Sequence, residues 1–226
     1  MYTTLLFDID DTLLDFGKTE HFALNLALKE LGCFCNDEVV KTYNQINIKL
    51  WEMYQRKEIT KQSLIVKRFE DLKQIYGFDY DSQYANECFI KNTSKGFFEI
   101  EGAKDTVIKL KEKYDVYAVT NALLKVSTAR LKGSGFYPLF LKVFNSDEIG
   151  ANKPNKEFFD VVFSEIREID KSKILIIGDS LSSDIQGGIN AGIDTAWVNP
   201  KGKPATLPVT FEIKSVTELE SVLECK

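Results

Sequence analysis

The chain has 226 residues, of which 29 are basic and 34 acidic, so its formal net charge is −5. This length fits one large domain or one domain with an insertion, and a hydrophobic share of 44% is enough to build a core. No apolar run approaches the ~18–20 residues that a membrane helix needs, and no block of lysine or arginine favours a nucleic-acid polymer. We therefore expect neither a membrane nor a nucleic acid as a partner.

The first residues and the cysteines favour a cytoplasmic protein. The segment Met1–Asp8 lacks the basic start of a secretory signal peptide and reaches a carboxylate after a short apolar run. The four cysteines, at positions 33, 35, 88 and 225, lack the spacing of zinc ligands and are interpreted as free thiols. His21 is the only histidine, so a catalytic mechanism must depend on carboxylates, lysines, hydroxyls or a metal ion.

Short apolar runs that end in polar residues recur along the chain and predict buried strands. These runs are residues 3–7, 116–121, 143–147, 174–179 and 195–199. Helical periodicity is found at 103–113, 124–134, 155–168 and 183–191, with a closing helix at 215–223. Gly192 stands where a helix C-cap is expected. The alternation predicts a doubly wound α/β fold, a parallel sheet whose ligands gather at the carboxyl ends of the strands.

Residues 18–95 interrupt this alternation, because their apolar residues recur at helical spacing alone. We expect about four helices there, divided near residues 32–36, 57–60 and 77–81. The sequence therefore predicts an all-α insertion directly after the first strand. The expected boundaries are 1–16 and 96–226 for the core and 17–95 for the insertion.

Acidic and polar side chains follow three of the predicted strands and are expected to meet at one edge of the sheet. They are Asp8, Asp10, Asp11, Thr120, Asn121, Asp179 and Asp184, with Lys153 ahead of the preceding helix. Carboxylates that lie so close repel one another unless some are protonated or a cation lies among them. Oxygen ligands of this kind suit Mg²⁺. Together with Lys153 and the Thr120 hydroxyl, the cation would form an electropositive pocket for phosphate.

Four of these segments resemble, in order, the four motifs of the haloacid dehalogenase-like hydrolase superfamily. They are Asp8-Ile-Asp-Asp-Thr12, Thr120-Asn121, Lys153-Pro154 and Gly178-Asp-Ser-Leu-Ser-Ser-Asp184. The resemblance covers almost the whole chain, because the helical insertion lies where that superfamily places its C1-type cap. It implies a Rossmann-like core with a helical-bundle cap. The sequence around the first and last motifs resembles that of the pyrimidine 5′-nucleotidases that act on noncanonical nucleotides.

The resemblance implies a catalytic role for each matched residue. Asp8 would be the nucleophile that attacks phosphorus and forms an aspartyl-phosphate. Asp10 would be the general acid for the leaving alcohol and then the base that activates water. Thr120, Asn121 and Lys153 would bind the phosphoryl oxygens, where negative charge must be offset in the transition state.

The resemblance also implies a Mg²⁺ cofactor. Asp8, the backbone carbonyl of Asp10 and Asp179 would ligate the ion, with Asp184 either among the ligands or directly behind them. Two positions depart from the common family pattern, since Asp11 and Ala122 stand where many relatives have glycine. A backbone amide needs no particular side chain to bind phosphate, so we expect activity to survive both departures.

Four residues are candidates for substrate specificity. They are Phe16, Asn47, Trp51 and Tyr54. Trp51 and Tyr54 share a helical turn and could stack on a base, although we favour packing within the cap core for both. Asn47 could read the polar edge of a base, and Phe16 lies at the predicted hinge of the cap.

The resemblance therefore implies a Mg²⁺-dependent phosphatase acting on a small phosphorylated metabolite. The residues around the first and last motifs imply that this substrate is a pyrimidine nucleoside 5′-monophosphate. A phosphosugar mutase, a phosphosugar phosphatase or a phosphoglycolate phosphatase shares the four motifs and stays an alternative. A dehalogenase is disfavoured because its chemistry has no alcohol for Asp10 to protonate. A phospho-acceptor signalling module fits less well because helices are inserted after the first strand. A binding module with an inactive site fits less well because every expected catalytic residue is present. The sequence leaves monomer and dimer open.

Overall fold

The computed structural model describes residues 1–224, apart from the side chain of Gln55, so Cys225 lies outside the described residues. Internal contacts divide the chain into two compact units. The first comprises Met1–Phe16 together with the residues from Phe97 onwards, and the second comprises Gly17–Gly96. No helix within residues 1–224 is both long enough and apolar enough to cross a membrane.

A parallel sheet of six strands forms the centre of the first unit, in the order β3-β2-β1-β4-β5-β6. The strands are β1 (Thr4–Phe7), β2 (Asp115–Thr120), β3 (Val143–Asn145), β4 (Ile174–Gly178), β5 (Asp194–Val198) and β6 (Phe211–Ile213). The central strand β1 pairs with both β2 and β4, so that Leu5 lies opposite Val116 on one side and Leu175 on the other. The carboxyl ends of these three strands therefore meet at one edge of the sheet, as predicted.

Four helices form the second unit. They are α1 (Phe16–Glu30), α2 (Asp37–Gln55), α3 (Lys61–Tyr76) and α4 (Ser82–Thr93), and α1 begins at the last residue of the first unit. The N-termini of α2, α3 and α4 are capped by Asn36, Thr60 and Asp81, each of which accepts a hydrogen bond from the backbone N–H three residues further along the chain. Gly77 ends α3 in a left-handed conformation. The helix ends agree with the division points that the sequence predicts.

Helices cover both faces of the sheet. They are α5 (Ala103–Leu110), α6 (Leu124–Ser134), α7 (Ser146–Ile149), α8 (Lys156–Glu165), α9 (Gln186–Ala191) and α10 (Leu219–Glu224). Because side chains alternate along a strand, Leu5 and Phe7 pack on one face with side chains of α5, α6 and α10. Leu6 packs on the opposite face with side chains of α8 and α9. This arrangement is the predicted doubly wound α/β core.

Two short elements, β6 and α7, were not predicted from the sequence. The strand β6 has three residues and pairs only with β5, which is too short a segment for a period of two to be recognised. The helix α7 has a single turn, capped by Asn145. The helix expected at 183–191 begins as a π-helical turn, Leu181–Ile185, that leads into α9. Gly192 ends α9 in a left-handed conformation, as predicted.

Candidate active site

The site is centred on Asp8, the first residue after β1. Its backbone N–H donates to the Ile177 carbonyl oxygen at 2.8 Å, so the pairing of β1 with β4 continues one residue beyond the strand. This bond fixes the backbone at Asp8, and the residue is only 8% exposed. A buried carboxylate at the end of a central strand needs a charged partner, because an isolated charge is costly to remove from water.

Lys153 supplies that partner. Its Nζ donates to Asp8 Oδ1 at 2.6 Å and to Asp184 Oδ1 at 2.6 Å. A third bond runs to the Val119 carbonyl oxygen at 2.8 Å, which uses all three donors of an ammonium group. Although burial lowers the pKa of Lys153, the charges of Asp184 and Asp8 raise that pKa above its usual value. The lysine therefore carries its positive charge while it is 3% exposed.

Asn121 holds the backbone of Lys153 in place. Its Nδ2 donates to the Lys153 carbonyl oxygen at 2.9 Å, and the Lys153 N–H donates to Asn121 Oδ1 at 2.9 Å. The side chain of Asn121 thus connects the end of β2 to the segment before α8. Thr120, which is buried, accepts a hydrogen bond on its hydroxyl from the N–H of Ala122 at 3.1 Å. Phosphate binding by Thr120 and Asn121 stays a prediction.

Three carboxylates converge beside this lysine. Asp8, Asp179 and Asp184 each offer one oxygen, and these oxygens all lie within 4.8 Å of one another. Gly178 makes this possible, because the Asp184 carboxylate occupies the space that a Cβ at position 178 would need. The N–H of Ser180 donates to Asp184 Oδ2 at 3.1 Å and so fixes that carboxylate.

The electrostatics of the group favour a bound cation. Burial raises the pKa of Asp8 well above its usual value, and the charges of Asp184 and Asp179 add to this against the opposing charge of Lys153. Burial, the Asp184 charge and the Asp11 charge raise the pKa of Asp179 to about 8. Three carboxylates against one ammonium leave an excess of negative charge. A donor set made only of carboxylate oxygens fits a hard divalent cation such as Mg²⁺.

The carboxylate of Asp10 lies outside this group of three. It forms an ion pair with Arg130 of α6 instead, and the Arg130 side chain is fully buried. Arg130 lies outside the four motifs and was not among the predicted site residues. The available signal was its place on the buried face of α6, since Val126 and Ser134 lie one turn before it and one turn after it.

Most of the chain, across both units, matches one family. The sequence profile of the haloacid dehalogenase-like hydrolases matches residues 5–198. The chain belongs to the haloacid dehalogenase-like hydrolase family. This confirms the resemblance drawn from the four motifs, and the chain is accordingly an enzyme of the hydrolase class.

Relatives within this hydrolase family match the chain over nearly its full length. It is 37% identical to the pyrimidine 5′-nucleotidase PynA of Streptococcus pneumoniae, over 99% of this chain and 95% of the relative. It is 30% identical to the pyrimidine 5′-nucleotidase YjjG of Escherichia coli, over 98% and 97%. The crystal structure of YfnB from Bacillus subtilis, bound to magnesium, is 37% identical, covers 98% of each chain and gives a TM-score of 0.96. These similarities confirm the predicted fold class.

The structure explains one departure from the common family motif. Asp11, where many family members have glycine, has a φ of 56° and is therefore in the left-handed region. Aspartate and asparagine enter this region more readily than other residues with a side chain, because their short polar groups can hydrogen-bond locally. The Asp11 Oδ1 atom accepts such a bond from the N–H of Phe16 at 2.9 Å. Aspartate can therefore replace glycine at this turn without disrupting it.

The candidate specificity residues lie on α2, apart from Phe16. Asn47, Trp51 and Tyr54 follow one another at spacings of four and three, so they share one face of the helix. Trp51 and Tyr54 are half-buried, and their rings meet edge to face with their centres 5.7 Å apart. Neither residue belongs to the buried core of the second unit, in which we expected both. Asn47 is buried and donates from Nδ2 to Glu20 Oε1 at 2.7 Å. Its Oδ1 has no hydrogen-bond partner among residues 1–224.

Proposed function

We propose that this family member is a Mg²⁺-dependent phosphatase that hydrolyses a pyrimidine nucleoside 5′-monophosphate through an aspartyl-phosphate intermediate. One observation carries the proposal. The Asp8 carboxylate lies at the end of the central strand, in contact with a buried lysine and within reach of two further carboxylates. A nucleophile, a fixed cation and a divalent-metal donor set at one point are the requirements of phosphoryl transfer.

The reaction would proceed in two balanced steps. In the first, an Asp8 carboxylate oxygen attacks phosphorus, the ester P–O bond breaks, and Asp10 gives its proton to the departing alkoxide. In the second, water attacks phosphorus, Asp10 takes a proton from that water, and the Asp8–phosphorus bond breaks. Inorganic phosphate leaves, and both carboxyl groups return to their starting states.

The neighbouring groups would stabilise the transferring phosphoryl group. Lys153 provides a fixed positive charge beside Asp8, and the Thr120 hydroxyl together with nearby backbone N–H groups would bind phosphoryl oxygens. Asp8, the Asp10 carbonyl and Asp179 would hold Mg²⁺, with Asp184 beside them. When bound, the ion would neutralise charge that otherwise repels a dianionic phosphate.

The substrate class rests on two supports. Two relatives that match the chain end to end at 37% and 30% identity are named pyrimidine 5′-nucleotidases. The α2 face of the cap also offers groups that suit a pyrimidine. The buried Asn47 Oδ1 can accept a hydrogen bond from a ring N–H, and Trp51 and Tyr54 present aromatic surfaces for stacking. Phe16 is the fourth residue that we propose for substrate contact.

A substrate panel tests this proposal. We expect kcat/KM for dUMP, UMP or dTMP to exceed that for AMP, GMP and small sugar phosphates by about 10- to 200-fold, because one lost contact costs about 1–3 kcal/mol. Phosphate release at matched substrate concentration with Mg²⁺ is the measurement. A sugar phosphate turned over faster than every pyrimidine monophosphate would refute the nucleotidase and leave a phosphatase. A protein that hydrolyses no phosphomonoester would refute both.

Two aromatic substitutions locate the specificity. We expect Trp51→Ala or Tyr54→Ala to reduce the preference for pyrimidine nucleotides while the melting temperature stays close to that of the wild type. Tyr84→Ala is the matched control, because Tyr84 is an exposed aromatic residue on a different helix of the cap, α4. A fall in melting temperature with the preference intact would assign Trp51 and Tyr54 to stability instead.

A further inference from the structure

Arg130 is a fully buried charge beside the candidate site. Its side chain has an exposed fraction of 0%, and it lies on α6, the helix that follows the motif Thr120-Asn121. Arginine is almost never fully buried unless it is paired, since its guanidinium group stays ionised at any pH that a folded protein tolerates. A buried arginine at this position therefore needs a specific reason.

Arg130 contacts Asp10 of the first motif and Phe16, the first residue of α1. One guanidinium nitrogen, Nη1, donates to Asp10 Oδ1, and the guanidinium carbon lies 5.4 Å from the centre of the Phe16 ring. Asp10 itself is 28% exposed at its side chain. The ring limits the positions open to the guanidinium group, and the guanidinium group in turn limits the positions open to the Asp10 carboxylate.

The two oxygens of Asp10 differ in their surroundings. Oδ1 accepts the bond from Arg130, whereas Oδ2 accepts no hydrogen bond from any part of the described chain, residues 1–224. The carboxylate also stands apart from the group formed by Asp8, Asp179 and Asp184. One oxygen is therefore fixed and the other is available for proton exchange.

We propose that Arg130 is a positioning residue that holds Asp10 Oδ1, so that Oδ2 is the oxygen that gives a proton to the leaving group. This inference rests on the proposed phosphatase function. Arg130 itself transfers no proton in either step. In the first step the proton moves from Oδ2 to the leaving oxygen as the ester P–O bond breaks, and in the second Oδ2 regains a proton from water.

Leaving-group dependence separates positioning from a structural role. An alkyl phosphate such as a nucleoside monophosphate needs a proton on its leaving oxygen, whereas p-nitrophenolate leaves without one. We expect Arg130→Met to lower kcat/KM for the nucleoside monophosphate at least about 10-fold and for p-nitrophenyl phosphate less than about 3-fold. kcat/KM is the correct quantity, because it reports the step that breaks the ester bond.

Three further variants sharpen the test. Asp10→Asn should show the same selectivity, and adding Arg130→Met to it should cost less than a further ~3-fold, since both remove one function. Arg130→Lys keeps a charge but lacks the planar fork, so we expect a smaller loss with the same selectivity. Arg167→Met is the matched control, because Arg167 is an exposed arginine paired with Asp115, and it should leave both substrates unaffected.

The outcomes are distinct. Equal losses for both substrates, an additive double variant, or unchanged kinetics would overturn the positioning role. If Arg130→Met does not fold, the same criteria apply to Arg130→Lys, which keeps the buried charge paired. A wild-type protein that hydrolyses neither substrate refutes the proposed function itself, whereas an active wild type with unselective variants refutes only the inference about Arg130.

Discussion

Replacing Asp8 with asparagine is expected to lower kcat/KM for phosphomonoester hydrolysis by at least about 10³-fold. The substitution keeps the shape of the side chain and an oxygen that can accept the hydrogen bond from Lys153. It removes the negatively charged oxygen that attacks phosphorus, so no aspartyl-phosphate can form. Phosphate release by the purified variant and by the wild type, with the same substrate and saturating Mg²⁺, gives the comparison.

The same variant should lose activity without losing thermal stability. Because burial and the charges of Asp184 and Asp179 raise the pKa of Asp8, its ionised form is disfavoured in the fold. We expect the melting temperature of Asp8→Asn without Mg²⁺ to equal or exceed that of the wild type.

Asp11→Asn is the matched control for the loss of activity, since Asp11 is an exposed carboxylate on the same loop and asparagine accepts its left-handed backbone. It should keep most of the activity, and near-normal rates in Asp8→Asn would show that another residue is the nucleophile.

Removal of the divalent cation is expected to abolish activity completely. Without the cation, only the charge of Lys153 offsets the grouped carboxyl groups, and the raised pKa values of Asp8 and Asp179 favour their protonated forms. A protonated Asp8 is no nucleophile, and no divalent charge would be present to neutralise a dianionic substrate. Excess chelator should stop phosphate release, and added Mg²⁺ should restore it. Full activity in chelator, after metal analysis confirms removal, would contradict the proposed site.

The stability of the metal-free protein should fall as the pH rises. The pKa of Asp179 is about 8 in the fold, against about 3.9 in an unfolded chain. Between these values the folded state binds more protons than the unfolded state, so the free energy of unfolding decreases with increasing pH. Mg²⁺ binds the ionised carboxylates, and the increase in melting temperature that it causes should be larger near pH 9 than near pH 6.

Two controls isolate this effect. KCl at matched ionic strength should not reproduce the Mg²⁺ shift, because a bulk salt screens charge without binding at the carboxylates. Asp179→Asn should weaken both the fall in stability with pH and the shift caused by Mg²⁺. A metal-free protein whose stability rises steadily between about pH 5 and pH 8 would contradict the assigned pKa shifts.

The sequence predicts the convergence of Asp8, Asp179 and Asp184, for a physical reason. Asp8, Thr120 and Asp179 each stand at the end of an apolar run, and parallel strands bring such ends to one edge of a sheet. The order of the strands and their apolar patterns were therefore enough to predict that the carboxylates lie close together. The sequence could not specify that Asn121 would hold the Lys153 backbone, because that contact depends on the geometry between two distant loops.

Features that depend on side-chain packing were harder to predict. The place of Arg130 on one face of α6 with Val126 and Ser134 indicates burial, but nothing local in the sequence reveals that it is paired with Asp10. Trp51 and Tyr54 resemble core residues, yet the structure leaves both half-buried. The strand β6 is too short to show a pattern. The deciding partner of Arg130 lies far along the chain, and β6 is shorter than the window that a pattern needs.

Detection of the phosphorylated enzyme tests the central claim most directly. The wild-type protein is mixed with substrate and Mg²⁺, the reaction is stopped with acid during turnover, and peptides are analysed by mass spectrometry. We predict one phosphoryl group, on the peptide that contains Asp8, and no such group in Asp8→Asn. A phosphoryl group on another residue, or phosphate release that continues in Asp8→Asn, would contradict the assignment of Asp8 as the nucleophile.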